Sequence, residues 1–513
     1  MKRISPGITP RFIFCGAALV FGVAAFSQPE FSPAGNWWGP GVDRVIEGEV
    51  EFDNPHGRLR LINSGPPIRT AGHPFFEPIG ENGRACVTCH QPADAMGLSV
   101  DMIRAQWEAT GGKDPLFAAV DGSNCPNLPQ DDPGSHSLLL EKGLFRIARP
   151  WPPRADDGTA IEPEFTLEVI EDPTGCNLDP EYGLHSDEPM VSVYRRPRPV
   201  ANMKYLLTLP NGVTPHEYFM YNDKSLLPKD PETGEFVSVQ LMSDGRLPTL
   251  SLQARDAGMT HLEMLSELSE SDLEAIESFE RSIYVAQSYS RDGGDLTGPS
   301  TPPGLGPEAM RDGYPGELGN NPINRVFGTF EMWDASSEEE LLTERDRFRA
   351  SVARGAKVFM DRRFIIKDVG VYNDKGLGNP FKRSCASGCH NTLLAGMDLA
   401  PGFMDLGLNN WPWNRREDLP LFKAVCRDDA RPQSYLGRVV YTHDPGRALV
   451  TGKCSDLGAS MTQQMRGLAA RAPYFMNGSA DTLRELVDFY DRRFNIRYTE
   501  QEKRDLVNFM SVL

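Results

Sequence analysis

The sequence predicts a mainly α-helical, loop-rich chain of two domains with few short strands. Three observations predict it: apolar residues recur at helical spacing in separate segments, no run reads as a parallel sheet, and glycine and proline are abundant. The chain has 513 residues, among them 48 Gly and 42 Pro, and 40% of it is hydrophobic. A chain of that length splits into at least two cores.

At the amino terminus Lys2, Arg3 and Arg11 precede the apolar stretch Phe12 to Phe26, followed by small residues around Ala25-Phe26-Ser27. A positive flank, a short apolar run and a small-residue site predict a signal peptide over residues 1–27, with an uncleaved anchor as the lesser alternative. No later apolar run approaches the roughly 20 residues of a spanning helix, so no membrane span is expected in the mature chain. The first domain, 28–290, closes with a helix carrying Leu273, Ile276, Phe279 and Ile283 on one face, opened by Ser271 with Glu274 as a capping box. Residues 291–325, dense in Gly, Pro, Asp and Asn and without apolar periodicity, predict a linker. The second domain, 326–513, starts with a helix in Thr343 to Met360 bearing Phe348, Val352 and Phe359. It ends in two more, one with Leu483, Leu486, Val487, Tyr490 and Phe494 on one face, the other opened by Thr499 and Glu502 with Leu506, Phe509, Met510 and Leu513 apolar.

Lys and Arg number 53 against 71 Asp and Glu, a net charge of -18. An acidic surface repels phosphate backbones, and no basic run interleaved with aromatics occurs, so no nucleic acid partner is expected. Basic protein partners stay open.

Cysteine usage carries the chemistry. Of the nine cysteines, Cys15 leaves with the signal peptide and the rest work in an oxidising compartment, periplasmic or otherwise exported. Cys86-Val87-Thr88-Cys89-His90 has the C-x-x-C-H spacing in which both thiols add to haem vinyl groups and the adjacent histidine ligates iron. A zinc site or a disulfide is the alternative. Cys385-Ala386-Ser387-Gly388-Cys389-His390 has one residue more between its cysteines, which Ser387-Gly388 can absorb; its alternative is a Cys385–Cys389 disulfide. Two covalently bound haems c are the leading count. Pairing Cys125 with Cys176 and Cys426 with Cys454 keeps each loop within one domain, in a structural role. No free low-pKa cysteine remains for thiol catalysis.

An ordered set of segments then carries a resemblance. Asp444-Pro445-Gly446-Arg447, Met465-Arg466-Gly467-Leu468, Arg471-Ala472-Pro473-Tyr474-Phe475-Met476-Asn477-Gly478-Ser479, Thr482-Leu483 and Asp488-Phe489-Tyr490 follow one another. Upstream lie Arg195-Arg196-Pro197, Asn202, Ser243-Asp244-Gly245-Arg246, Gln253-Ala254, Glu263-Met264 and Phe279-Glu280. This pattern resembles the bacterial dihaem cytochrome c peroxidases and their relative MauG, over most of residues 80–513. The resemblance implies two cytochrome c-like haem domains, the N-terminal haem on His90 reacting with hydrogen peroxide and the C-terminal haem on His390 relaying electrons. It implies Glu263 as the carboxylate that shuttles a proton and Gln253 as a supporting hydrogen-bond donor. His261 is open between a displaceable iron ligand, a second acid-base group and a surface histidine. His56, His73, His136, His185, His216 and His443 have no motif to elevate them.

At the second haem the resemblance makes Tyr490, or its rival Met476, the candidate axial ligand, since MauG carries a tyrosine where peroxidases have a methionine. Either side chain can equally be packing. Two departures bear on turnover: Ser243 stands where the family has a tryptophan between the haems, and Met476 where it has a histidine. Calcium is a candidate third metal, through Asn202 by side chain and Arg471 and Pro473 by carbonyl. The expected partners are hydrogen peroxide, a small cytochrome c or cupredoxin, and a second copy of the chain. Three readings follow: a peroxidase, a MauG-like or rubber-oxygenase-like oxidase acting on an organic or protein substrate, and a non-catalytic dihaem electron carrier.

Overall fold

The computed structural model describes residues 33–207, 241–313, 326–335, 343–370, 381–388 and 403–513, with Met1 and Gly234. The expected signal peptide, Met1 apart, and residues 314–325 of the expected linker lie outside them. Helix makes up 32% of the structure and strand 20%. The expectation of a mainly α fold is therefore corrected: helices share the molecule with several small antiparallel sheets.

The strands arise where short runs alternate apolar and polar residues. Glu49–Asn54 and Gly57–Asn63 form a hairpin, and Gly57–Asn63 pairs on its other edge with Ile283–Ser290, which pairs with Gly294–Asp295. Leu59 and Leu61 point into the core, while Arg58 and Arg60 on the other face meet Glu51 across the strand pair. A second sheet orders Val439–Thr442, Leu421–Cys426 and Phe165–Glu171, so a strand from the first half of the chain pairs with one from the second. Phe145–Pro150 pairs with Met190–Arg195. These runs are at most 8 residues long, too short for their β-branched and aromatic alternation to stand out against helical periodicity.

Helices form where expected, with one boundary moved. Glu270–Ser282 is capped by Ser269, whose side chain accepts from the Asp272 amide, rather than by Ser271, and Ile283 is the first residue of a strand. Glu344–Asp361 opens with a Thr343/Asp346 capping box, Leu483–Phe494 with Thr482, and Glu500–Ser511 with the Thr499/Glu502 box. Among the described residues two hydrophobic cores are much the largest. One gathers Phe75, Phe76, Phe279, Leu59 and Leu61; the other is built on Phe359, Phe494, Leu506 and Phe509. Cys125 bonds Cys176 and Cys426 bonds Cys454, the pairing that short loops favour. Among the described residues no helix is long and apolar enough to cross a membrane.

Helices Glu344–Asp361 and Glu500–Ser511 cross at Gly355, where a Cβ would lie 1.9 Å from the Asp505 carbonyl oxygen. The crossing is tied by Ser351 Oγ and Arg354 Nε on the Asp505 carboxylate, at 2.5 and 2.9 Å. Gly355→Ala is expected to push the helices apart and to lower stability by about 1–3 kcal/mol, read as a lower urea midpoint at unchanged m-value.

Candidate functional site

Two clefts flank the segment Arg196–Pro199. The first has walls from Cys86, Cys89, His90, Gln253, His261 and Glu280, the second from Cys385, Met476 and Tyr490. They enclose about 1210 and about 1310 Å³ of space, open to solvent, and both are mainly apolar, as a large planar cofactor requires.

In the first cleft the motif sits on a single tight turn, Cys86–Thr88, with the His90 amide donating to the Cys86 carbonyl at 3.1 Å. Cys86 and Cys89 are free, and burial pushes each thiol up to about 12, so both stay uncharged. The His90 Nδ1 lies 3.2 Å from the Met96 carbonyl. Donation there leaves the Nε2 lone pair for a metal. Burial brings the imidazole down to about 4, against the small upward pull of that hydrogen bond, so it is neutral at physiological pH. Two thiols and one neutral imidazole opening on one apolar cleft fit a c-type haem.

The facing wall is built by helix Leu250–Thr260 and its C-cap, His261. Gln253, Ala257 and His261 stand at i, i+4 and i+8, on one helix face. His261 Nδ1 is 2.6 Å from Asp121 Oδ2. Burial alone would raise the Asp121 carboxyl, but Arg84 and His261 outweigh it and hold it below its ordinary value. An ionised carboxylate only accepts, so Nδ1 carries the proton and Nε2 is the free nitrogen. Arg84, fully buried, also donates to the carbonyls of Pro115, Leu116 and His261, which locks the pair. Gly80 lets the neighbouring loop touch this turn: a Cβ there would fall 1.8 Å from the Leu262 carbonyl oxygen.

Glu263 does not join this wall. Its backbone is left-handed, φ 53°, its side chain is exposed, and Oε2 accepts from Asn82 Nδ2 at 3.0 Å. The expected proton shuttle thus stands outside the cleft, and the position facing His90 belongs to His261. Asp121 and Arg84 were missed because 140 residues separate Asp121 from His261 and neither lies in a motif. Glu280, read only as a matching residue, is 3% exposed, its Oε2 has no hydrogen-bond partner, and burial pushes its carboxyl up to about 8.

In the second cleft Cys385 is free, and Tyr498 Oη lies 3.7 Å from its sulfur. Cys389 and His390 lie outside the described residues. Both candidate axial residues reach the wall. Tyr490 packs among Phe475, Phe489 and Phe494, and Met476 Sδ accepts from Asn409 Nδ2 at 3.7 Å. Ser243 lines the first cleft, and its carbonyl accepts from the Met461 amide, at the wall of the second, at 2.9 Å.

The calcium expectation does not fit these residues. Asn202 Oδ1 accepts from the Val285 amide and its Nδ2 donates to Val285 and Gln464, each at 3.0 Å. The Arg471 carbonyl accepts from Arg196 Nη2 at 3.1 Å, so guanidinium groups already bring positive charge there. Among the described residues no group of three His, Cys, Asp or Glu side chains could hold a metal ion.

A buried ion network holds the two clefts together. Arg195 donates through Nε and Nη2 to Asp444 at 2.7 and 2.9 Å and through Nη1 to Asp244 at 2.6 Å; Arg246 meets Asp244 at 3.0 Å. Burial would raise the Asp244 carboxyl, but Arg246, Arg195 and Arg149 outweigh it and hold it well below the ordinary range. Removing one ion leaves the others uncompensated, so Arg195→Met is expected to lose about 3–5 kcal/mol in urea denaturation. Because the folded state depresses Asp244, its contribution is complete above pH about 4 and lost as the pH falls below that value. The acid-side fall in stability should therefore be shallower in Asp244→Asn than in the parent.

No family model matches the chain. A curated cytochrome-c peroxidase, IdrP1, from Pseudomonas sp. (strain SCT) is 30% identical over 149 residues, covering 26% of this chain. Only 37% of that relative's length is spanned. A solved MauG-like protein associated with microbial copper homeostasis is 18% identical, over 60% of this chain and 84% of the other, at a TM-score of 0.25. By its ordered motifs and this curated relative, the chain is similar to the bacterial dihaem cytochrome c peroxidase and MauG family of oxidoreductases.

Proposed function

We propose that the chain is an exported dihaem cytochrome that reduces hydrogen peroxide to water in the cleft of His90, with electrons relayed through the cleft of Cys385. The observation that carries this reading is the pair of histidines on facing walls: His90, neutral and oriented by Met96, and His261, oriented by Asp121. A haem bound there supplies an iron that binds peroxide and passes electrons to it. Among the described residues His261 Nε2 has no protein partner, and it would accept a proton from peroxide bound in the cleft. The same nitrogen then returns that proton to the departing oxygen, which leaves as water. Asp121 stabilises the imidazolium between the two transfers, and Gln253 adds a hydrogen bond from the same helix face. The disulfides Cys125–Cys176 and Cys426–Cys454 suit an oxidising compartment.

A second reading rests on the same hydrogen bond. An imidazole held by a carboxylate at Nδ1 is also a good iron ligand at Nε2, and a permanent His90/His261 pair would leave an electron carrier. Electron paramagnetic resonance and optical spectra of the holoprotein, oxidised and half-reduced, separate the two. A high-spin haem that stoichiometric peroxide consumes supports the peroxidase; two low-spin haems inert to peroxide in both states overturn it.

For the peroxidase, His261→Gln is expected to lower the rate of peroxide consumption by about 10²–10⁴-fold, with Asp121→Asn intermediate. Glu263→Gln should stay close to the parent rate, because that carboxylate stands outside the cleft. The net charge of -18 should steer a basic donor. Turnover with a small basic cytochrome c should fall several-fold as salt rises from about 10 to about 200 mM.

A further inference from the structure

A third cleft shares no wall residue with the two already described. It lies where helices Glu344–Asp361 and Glu500–Ser511 meet the turn that follows strand Ile283–Ser290, and it encloses about 990 Å³ of space, open to solvent. Helical spacing builds it. Arg347, Ser351 and Arg354 stand at i, i+4 and i+7 on the first helix, and Gln501, Arg504 and Asn508 at i, i+3 and i+7 on the second, so each helix lends one face. Arg291 and Arg345 complete the walls, which hold five arginines against two carboxylates, Asp292 and Glu344. That excess of positive charge sits on a chain whose net charge is -18. Glu344 is taken by Arg347, and Arg354 by the buried Asp505. Among the described residues Arg291, Arg345 and Arg504 have no carboxylate within ion-pair distance. Arg291 donates to the Asn54 carbonyl at 3.3 Å and Arg504 to Gln501 at 2.8 Å. The Arg345 guanidinium lies against the turn at Gly294, where a Cβ would stand 3.1 Å from its Nε. Asp346, beside Arg345 in sequence, has its carboxylate committed to the Thr343 cap.

Like charges gathered in one concavity repel one another and concentrate the field on whatever anion enters. Planar guanidinium forks match phosphates and carboxylates and select them over a cation or a neutral group. The neutral donors of the floor are already committed: Gln501 and Ser351 donate to Asp505 at 2.8 and 2.5 Å, and Asn508 to Ser351 at 2.9 Å. Recognition therefore falls to the arginines, and the space suits a small molecule. We propose that this cleft binds a small, multiply charged oxyanion, its phosphate or carboxylate groups held by Arg291, Arg345 and Arg504. The site stands independently of the dihaem reading. A bound anion ties the end of strand Ile283–Ser290 to two helices of the other core. The same helices present Phe359, Leu506 and Met510 to the second cleft, so the anion also steadies that wall.

The holoprotein should be titrated by isothermal calorimetry with tripolyphosphate and, separately, with citrate, and its thermal midpoint followed at each concentration. A single saturable site is expected, with a midpoint that climbs with ligand concentration as mass action requires. Its affinity should fall steeply as salt rises from about 50 to about 300 mM. The double variant Arg345→Gln, Arg504→Gln breaks no ion pair and should lower the affinity by about tenfold or more. Arg281→Gln, on a helix that does not line the cleft, should keep the parent affinity. Tighter binding of tripolyphosphate assigns phosphate to the site and tighter binding of citrate assigns carboxylate; either result supports it. No saturable binding of either probe at about 5 mM overturns the proposal, as does binding that the double variant leaves unchanged. Peroxide consumption by the double variant should equal that of the parent, so failure of this site and failure of the peroxidase reading are told apart.

Discussion

The ion network centred on Arg195 is the constraint on which the rest of the structure depends. A guanidinium buried at the end of strand Met190–Arg195 needs compensating charge, and it finds two carboxylates from turns 49 and 249 residues away in sequence. Meeting both at once pins three remote segments together. The next residues, Arg196 to Pro199, are thereby held between two clefts instead of at the surface. Asp244 takes a second guanidinium from Arg246, and the Asp444 carboxylate also accepts from the Gly446 amide at 2.8 Å. The network is thus closed, and removing any member leaves an unpaired ion in a dry interior.

Around that spine each cleft is given different chemistry by its second layer. His90 and His261 are the same residue type on facing walls, yet a carbonyl orients one and a carboxylate the other. A carbonyl fixes the tautomer without adding charge, and burial keeps that ring neutral for a metal. A carboxylate that is itself held by Arg84 fixes the other ring with Nδ1 as the donor, which leaves Nε2 as the free nitrogen, as a proton acceptor requires. The second cleft offers a tyrosine in an aromatic cluster and a methionine tied to an asparagine, which are ligands or packing but not bases. The peroxide chemistry proposed above therefore belongs to the first cleft.

The passage between the clefts is main-chain and cationic. Where the related family carries a tryptophan, Ser243 contributes a carbonyl hydrogen bond to Met461, a short link between the two walls. Beside it stand Arg196, Arg198 and Arg471. Their charge explains why the calcium expected at Asn202, Arg471 and Pro473 does not fit: Asn202 Oδ1 is already spent on an amide and the Arg471 carbonyl on a guanidinium group, and a further cation would be repelled.

Local patterns were legible in the sequence. Cys86, Cys89 and His90 share one turn, and their spacing alone announces the first cleft. The terminal helices announce themselves by apolar faces at helical spacing, and the last of them also by Thr499 and Glu502 at its start. Short strands were less legible, because runs such as Met190–Arg195 become strands only when a remote partner supplies the ladder hydrogen bonds. The same holds for the acid-base group. Glu263 was favoured by its place in an ordered motif, but a left-handed backbone turned it outward, and His261 became significant only when folding brought Asp121 and Arg84 to it. The cysteine–histidine motif was thus legible within five residues. The orientation of the reactive wall and the pairing of buried charges were decided by tertiary structure, since desolvation and long-range pairing exist only once the chain has closed.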